Sequence, residues 1–181
     1  MSENRIIGVI APEGSGKTYS VAQWVRFHQG DNIAIFDLIA EQGSAAFATE
    51  IVSGNPKQFA ELIREPGPWR IVYRPLFIPQ DEGEPIPGLE WFCDLCYLRG
   101  YCTMIIDEAH QVCTPYRTPA SLRNVAQIGR HRNVRLIYIT QSFAAVSKVL
   151  TRNTSEFWFF RIGEQGDLER IRDRCGSDTA D

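Results

Sequence analysis

The segment Ala11-Pro12-Glu13-Gly14-Ser15-Gly16-Lys17-Thr18 carries glycines, a lysine and a hydroxyl in an order suited to phosphate. It fits G-x-x-x-x-G-K-[ST], with Ala11 in place of the first glycine. Such a loop wraps backbone N–H groups around an anion at a helix N-terminus, and small residues are needed for that approach. Gly14, Ser15 and Gly16 are then expected to line the phosphates. Lys17 reaches the β- and γ-phosphates, and the Thr18 hydroxyl takes Mg²⁺. Ninety residues after Lys17, the apolar run Thr103-Met104-Ile105-Ile106 ends in Asp107-Glu108. A carboxylate at the C-terminal edge of a parallel strand faces the same crevice as the loop. Asp107 is expected to hold Mg²⁺ through its water shell, and Glu108 to orient and polarise the attacking water. The pair of motifs predicts a chain that takes ATP and Mg²⁺ and hydrolyses the nucleotide.

Two further signals follow. Thr140-Gln141 ends an apolar run, and a polar group there would lie between Asp107 and the phosphate loop, able to sense the γ-phosphate. The plainer reading is a polar cap at a strand end; beside the first two motifs we prefer the sensor for Gln141. Gly129-Arg130-His131-Arg132-Asn133-Val134-Arg135 is a basic turn just before that strand. Arg130, supplied to the γ-phosphate of a neighbouring subunit, would stabilise transition-state charge. A basic surface turn explains the same residues equally well at this point.

Asp107-Glu108-Ala109-His110 also spells the box of a helicase class. Those helicases need two lobes, the Ser-Ala-Thr motif that should follow is absent, and Gln127-Ile128-Gly129-Arg130 lies too near the box to be their late arginine motif. The helicase reading is rejected, and His110 is taken as a local structural residue.

These residues need a frame. Apolar runs at Arg5–Ala11, Asn32–Leu38, Trp69–Arg74, Cys102–Asp107, Val134–Thr140 and Glu156–Ile162 read as buried strands. Helical patterns lie between them. Thr18–Gln29 carries Val21, Trp24 and Val25 on one stripe, with His28 at its wet edge and Gly30 ending it. Further helices are expected near Ser44–Val52, Pro56–Glu65, Leu89–Leu98, Pro119–Gly129, Phe143–Leu150 and Leu168–Cys175. Leu76–Gly88, with three prolines and three acids, is a surface loop. Alternating strands and helices predict an α/β fold, a mainly parallel sheet covered on both faces; with the phosphate-loop motif it resembles a single RecA-like P-loop domain over residues 1–181.

Length and composition agree with one globular unit: 181 residues, 44% hydrophobic and 23% charged. No apolar run is long enough to span a bilayer and the first residues do not form a secretory signal, so a soluble, cytoplasmic protein is expected. The five cysteines are expected as thiols. Cys93 and Cys96 have C-x-x-C spacing, but only Cys102, His110 and Cys113 could complete a zinc set, and these straddle the Asp107-Glu108 segment. Leu89, Phe92, Cys93 and Cys96 fall on one helical face, which favours core packing. The net charge of −3 hides an asymmetry. Ala109–Ser155 holds seven arginines and lysines and no carboxylate, a net of +7 that leaves −10 for the rest. A face that meets an anion, either a neighbour's nucleotide or nucleic acid, would account for it, as would a solvated basic surface.

The segment GRHRNVRLIYITQSFAAVS resembles the FtsK–HerA superfamily of ring-forming DNA-pumping ATPases: an arginine, a short turn, an apolar strand and a terminal glutamine. By that resemblance Arg130 takes the finger position and Gln141 the sensor position. The small size, the A-x-x-x-x-G-K-T loop, the helix before the Asp107 strand and the late FWFFRIGEQGDLERI segment are most similar to genome-packaging ATPases of membrane-containing, tailless viruses. The resemblance implies a homo-oligomeric ring of roughly five or six subunits that moves double-stranded DNA into a capsid without base readout. Capsid vertex proteins would be partners, and the protein would reside in the host cytoplasm and with the virion. Arg132, Arg135 and Lys148 are candidates for contacts to DNA phosphates, and the sequence does not say which face they occupy. Two other readings remain at this point: another DNA-transfer or phage-export ATPase, and a nucleotide-dependent switch or small-molecule kinase with Arg117–Arg135 as its lid.

Overall fold

The structure is a computed structural model that describes residues 5–28, 30–40, 48–79, 84–161 and 165–176. Seven strands form one sheet: β1 (Ile6–Ile10), β2 (Ile33–Phe36), β3 (Glu50–Ser53), β4 (Arg70–Arg74), β5 (Cys102–Ile106), β6 (Val134–Thr140) and β7 (Glu156–Phe159). Their order is β3-β4-β2-β5-β6-β1-β7, and every pairing is parallel. A parallel neighbour can be reached only by a crossover, so helices must cover both faces and the inner strands lose contact with water on both sides. That is why β2 and β5 are buried at every residue.

The helices are α1 (Lys17–Phe27), α2 (Pro56–Leu62), α3 (Leu89–Arg99), the single turn α4 (Ala109–Val112), α5 (Ala120–Ile128), α6 (Lys148–Asn153) and α7 (Gln165–Cys175). A 3₁₀ turn, Gly129–Arg132, joins α5 to β6. Side chains alternate across each strand. Val21 and Val25 of α1 pack with Ile33 and Ile35, whereas Ala34 and Phe36 join the larger cluster with Phe59, Phe92, Leu122 and Leu150 from α2, α3, α5 and α6.

Gly8 is required at the centre of β1. A Cβ there would lie 2.5 Å from the hydroxyl oxygen of Tyr138 on β6, and Tyr138 is fully buried with that hydroxyl 2.9 Å from Thr154 Oγ1.

Two expectations are corrected. The helix expected at Ser44–Val52 ends instead in β3, whose amides continue the β4 edge; residues 44–47 lie outside the described residues. The β-branched pair Ile51-Val52 suits a strand, and at an edge one face suffices: Val52 is buried while Ile51 is 43% exposed. The helix expected from Phe143 begins only at Lys148, because Asp167 takes the amides of Phe143 and Ala144 and Ser147 accepts from Val149 N as the helix cap. The other six strands and the helices near Pro56, Leu89, Pro119 and Leu168 lie where the patterns put them, within a few residues. Cys93, Cys96, Cys102 and Cys113 are buried free thiols, and burial pushes Cys93 and Cys96 up, as for core residues. No group of three metal-ligating side chains occurs among the described residues.

A candidate nucleotide site at the C-terminal edge of the sheet

The C-terminal ends of β1, β6 and β5 are adjacent, so the loops that follow them meet. Ala11 leaves β1 with its N–H on Thr140 O at 3.0 Å and its side chain fully buried. A methyl therefore packs where the motif ordinarily carries glycine. The chain then turns through Pro12–Gly16. Ser15 Oγ donates to Pro12 O at 2.6 Å, and Gly14 and Gly16 hold φ of 72° and 87°, a region costly for any side chain. No heavy atom lies within 4 Å of a Cβ built on either glycine, so the space above the loop is open. α1 starts at Lys17, with its first-turn N–H groups directed to that space. The loop has what a polyphosphate requires: open space over Gly14 and Gly16, the start of a helix and a lysine beside them.

That cation is Lys17, which is buried. Its Nζ lies 3.7 Å from Glu108 Oε1. Glu108 follows Asp107 at the end of β5 and adopts φ 47°, ψ 49°, a left-handed conformation that few non-glycine residues take. Asp107 Oδ1 accepts the Glu108 N–H at 2.9 Å, and the Asp107 N–H donates to Phe36 O of β2 at 3.0 Å. The Glu108 carboxylate is thereby turned back towards β6. Gln141 Nε2 donates to its two oxygens at 3.2 and 3.3 Å, and His110 Nδ1 stands 3.2 Å from Oε2. Lys17, Glu108 and Gln141, expected from three separate motifs, form one contact cluster. Thr18, half-buried at the start of α1, and Asp107 are the residues here whose oxygens suit a hard divalent cation at phosphate.

His110, expected as a local structural residue, stands against Glu108 and so belongs to the contact cluster. The left-handed turn at Glu108 starts the one-turn α4, and that turn carries the His110 ring back over Glu108. Burial holds the imidazole below its ordinary range; Glu108 opposes that shift and Lys17 adds to it. At neutral pH the ring is therefore neutral, and only the tautomer with the proton on Nδ1 would present a donor to the carboxylate. Thr140 Oγ1 lies 3.5 Å from the same nitrogen. Further along this edge, Arg74 Nε donates to the buried Asp37 carboxylate at 2.8 Å, a second charged pair that only the acid at the end of NIAIFDL could have signalled.

Arg130 is not in this cluster. It is exposed in the 3₁₀ turn before β6, and the seven residues of β6 separate it from Gln141 by about 20 Å. Two of the three arginines and lysines expected on DNA are engaged within the fold. Arg132 donates to Tyr97 O and Leu98 O at 3.3 and 2.5 Å, capping α3. Arg135, half-buried, lies 3.6 Å from Asp31 and over the Trp24 ring at 5.1 Å. Lys148 is exposed at the start of α6. The long basic segment is therefore partly architecture.

No protein-family model matches the chain, and neither does any curated protein sequence. Solved structures do match in fold. The genome packaging NTPase B204 of Sulfolobus turreted icosahedral virus 2, in complex with AMPPCP, superposes with a TM-score of 0.78 over 98% of this chain and 85% of its own, at 16% identity. VirB4 of Thermoanaerobacter pseudethanolicus gives a TM-score of 0.59 at 13% identity, covering 93% of this chain and 80% of that one. The N-terminal domain of zonular occludens toxin from Neisseria meningitidis gives 0.51 at 13%, covering 91% and 81%. Over nearly its whole length the chain thus has the α/β P-loop ATPase fold of these structures.

Proposed function

We propose that the chain is an ATPase motor that works as a homo-oligomeric ring and translocates double-stranded DNA, in the manner of a viral genome-packaging enzyme. The observation that carries the hydrolytic part is the buried Glu108 carboxylate, turned by a left-handed backbone into contact with Lys17, Gln141 and His110 beside the phosphate loop. In this reading Lys17 exchanges Glu108 for the β- and γ-phosphates when ATP enters, which frees the carboxylate to polarise water. Gln141 stays within reach of both. Thr18 and Asp107 would hold Mg²⁺, which when bound neutralises phosphate charge.

DNA translocation rests on the fold shared with the B204 packaging NTPase and on the resemblance carried by Arg130–Gln141. The kinase reading has less support. Arg117–Arg135, which would have to be a mobile lid, contains α5 with Leu122 and Val125 buried in the main core.

Steady-state hydrolysis by the full chain, with and without mixed-sequence duplex DNA, tests the proposal. Turnover should rise with duplex. Glu108→Gln should retain nucleotide binding while hydrolysis falls by about 100-fold or more. Turnover indifferent to DNA would remove the motor reading, and full activity in Glu108→Gln would remove the catalytic one.

A further inference from the structure

Between α4 and α5 the chain makes a tight turn, Thr114-Pro115-Tyr116-Arg117, closed by an antiparallel bridge from Thr114 to Arg117 with Arg117 N donating to Thr114 O at 3.2 Å. Tyr116 at its tip is 99% exposed, and Arg117 beside it is also exposed. A tyrosine held entirely in water on a pinned turn contributes nothing to the core. The turn is also rigidly based. Ser147 N donates to Cys113 O at 3.3 Å, and the hydroxyls of Ser147 and Thr118 lie 2.5 Å apart.

That base connects to the nucleotide site by two routes. Backwards, the four residues of α4 lead to Glu108, with Cys113 N on Ala109 O at 2.8 Å. Across, Ser147 ends the loop that begins at Gln141. A load on the tip therefore bears on both residues that hold the Lys17–Glu108 contact.

The chemistry around the tip selects the partner. Arg123 Nη2 donates to Thr118 O at 3.4 Å, so a second guanidinium flanks the base, and the exposed Lys148 follows Ser147. Glu90 faces Arg117 from α3, but its two oxygens are engaged by Ala120 N and Ser121 N at 3.1 and 2.8 Å. A convex tip with a hydroxyl and a guanidinium suits an extended row of phosphates, where arginine is bidentate and tyrosine donates, and no sequence is read.

We propose that the Tyr116-Arg117 turn is the element that grips the backbone of duplex DNA and couples it to Glu108 and Gln141; this rests on the motor reading above. The test is the full-length Tyr116→Ala/Arg117→Ala variant, assayed for ATP turnover against mixed-sequence duplex at several salt concentrations. Because the turn is closed by backbone bonds, the variant keeps its fold, which its unfolding midpoint checks. Turnover without DNA should equal that of the wild type. The DNA concentration for half-maximal stimulation should rise about tenfold, and the dependence of log affinity on log salt should become shallower by about one. Arg117→Lys should restore the salt slope. An unchanged half-saturating concentration and slope would overturn the proposal. Loss of DNA-free turnover together with nucleotide-dependent assembly would also overturn it, by making the turn a contact between copies of the chain. A wild-type protein indifferent to DNA is a different failure, that of the motor reading itself.

Discussion

Glu108 is surrounded by donors of three kinds: an ammonium, a carboxamide and an imidazole. A water-polarising carboxylate needs to be held without being protonated, and His110 sets the acidic limit. Burial depresses the His110 pKa below the free value of about 6.5. Protonation is therefore delayed until pH falls below that range, when a second cation competes with Lys17 for the carboxylate. We expect turnover to fall on the acid side with a midpoint below about 6.5. In His110→Gln, which keeps an N–H donor, that limb should be lost from the imidazole range. A pH–rate profile of the two proteins decides this; an unaltered limb would assign it elsewhere. Stability follows the same sign. The unfolded chain binds this proton more readily, so the contribution of neutral His110 is complete above about 6.5 and is lost as pH falls towards the lower folded-state value.

Among the elements, α7 holds the loop that follows Gln141. Asp167, only 3% exposed, accepts from Ser142 Oγ, Phe143 N and Ala144 N at 2.9, 3.0 and 2.7 Å, and Arg170 Nη1 donates to Ala144 O at 2.8 Å. Ser142 directly follows Gln141, so the carboxylate sets where the Gln141 side chain begins. Asp167→Asn puts an amide donor among three donors. It should cost about 1–3 kcal/mol in denaturant unfolding and lower kcat more than it alters KM. A stability loss with kcat intact would make α7 a brace and nothing more.

This clasp was not legible in the sequence, because Asp167 lies in a charged stretch, FWFFRIGEQGDLERI, whose pattern says only that a helix follows a strand. The central strands were legible because strands buried on both faces are written as unbroken apolar runs. β3 was not, since an edge strand of four residues with one buried side chain leaves almost no pattern. Asp107, Glu108 and Gln141 were legible as polar residues that follow apolar strands, and Lys17 from the glycine-bearing loop before it. His110 was hidden because its position depends on the left-handed backbone of Glu108, which no residue type announces. The contacts of Arg132 and Arg135 were hidden for a related reason: charge counts do not distinguish an arginine capping a helix or stacked on Trp24 from one facing a ligand.

At the scale of the whole molecule, the sheet separates two ends that must meet for the motor reading to hold. Arg130 stands before β6 and the phosphate loop lies beyond its far end, about 20 Å away, so Arg130 cannot serve its own nucleotide. In the proposed ring, built from one repeated contact, the edge bearing Arg130 on one subunit would face the loop edge of the next, and every site would be made of two chains. Arg130→Ala should then bind ATP and hydrolyse almost none, since an arginine in trans supplies about 10³-fold or more. Glu108→Gln is inactive for the opposite reason. Mixed in equal amounts and allowed to reassemble, the two should recover about a quarter of wild-type turnover, because a random ring pairs an intact Glu108 with an intact Arg130 at that fraction of its interfaces. An arginine acting within its own chain would give no recovery at any ratio. An Arg130→Ala protein that is active alone would reduce the basic turn to a solvated surface. The recovered fraction, followed as the mixing ratio is varied, therefore reads out whether the site belongs to one chain or to two.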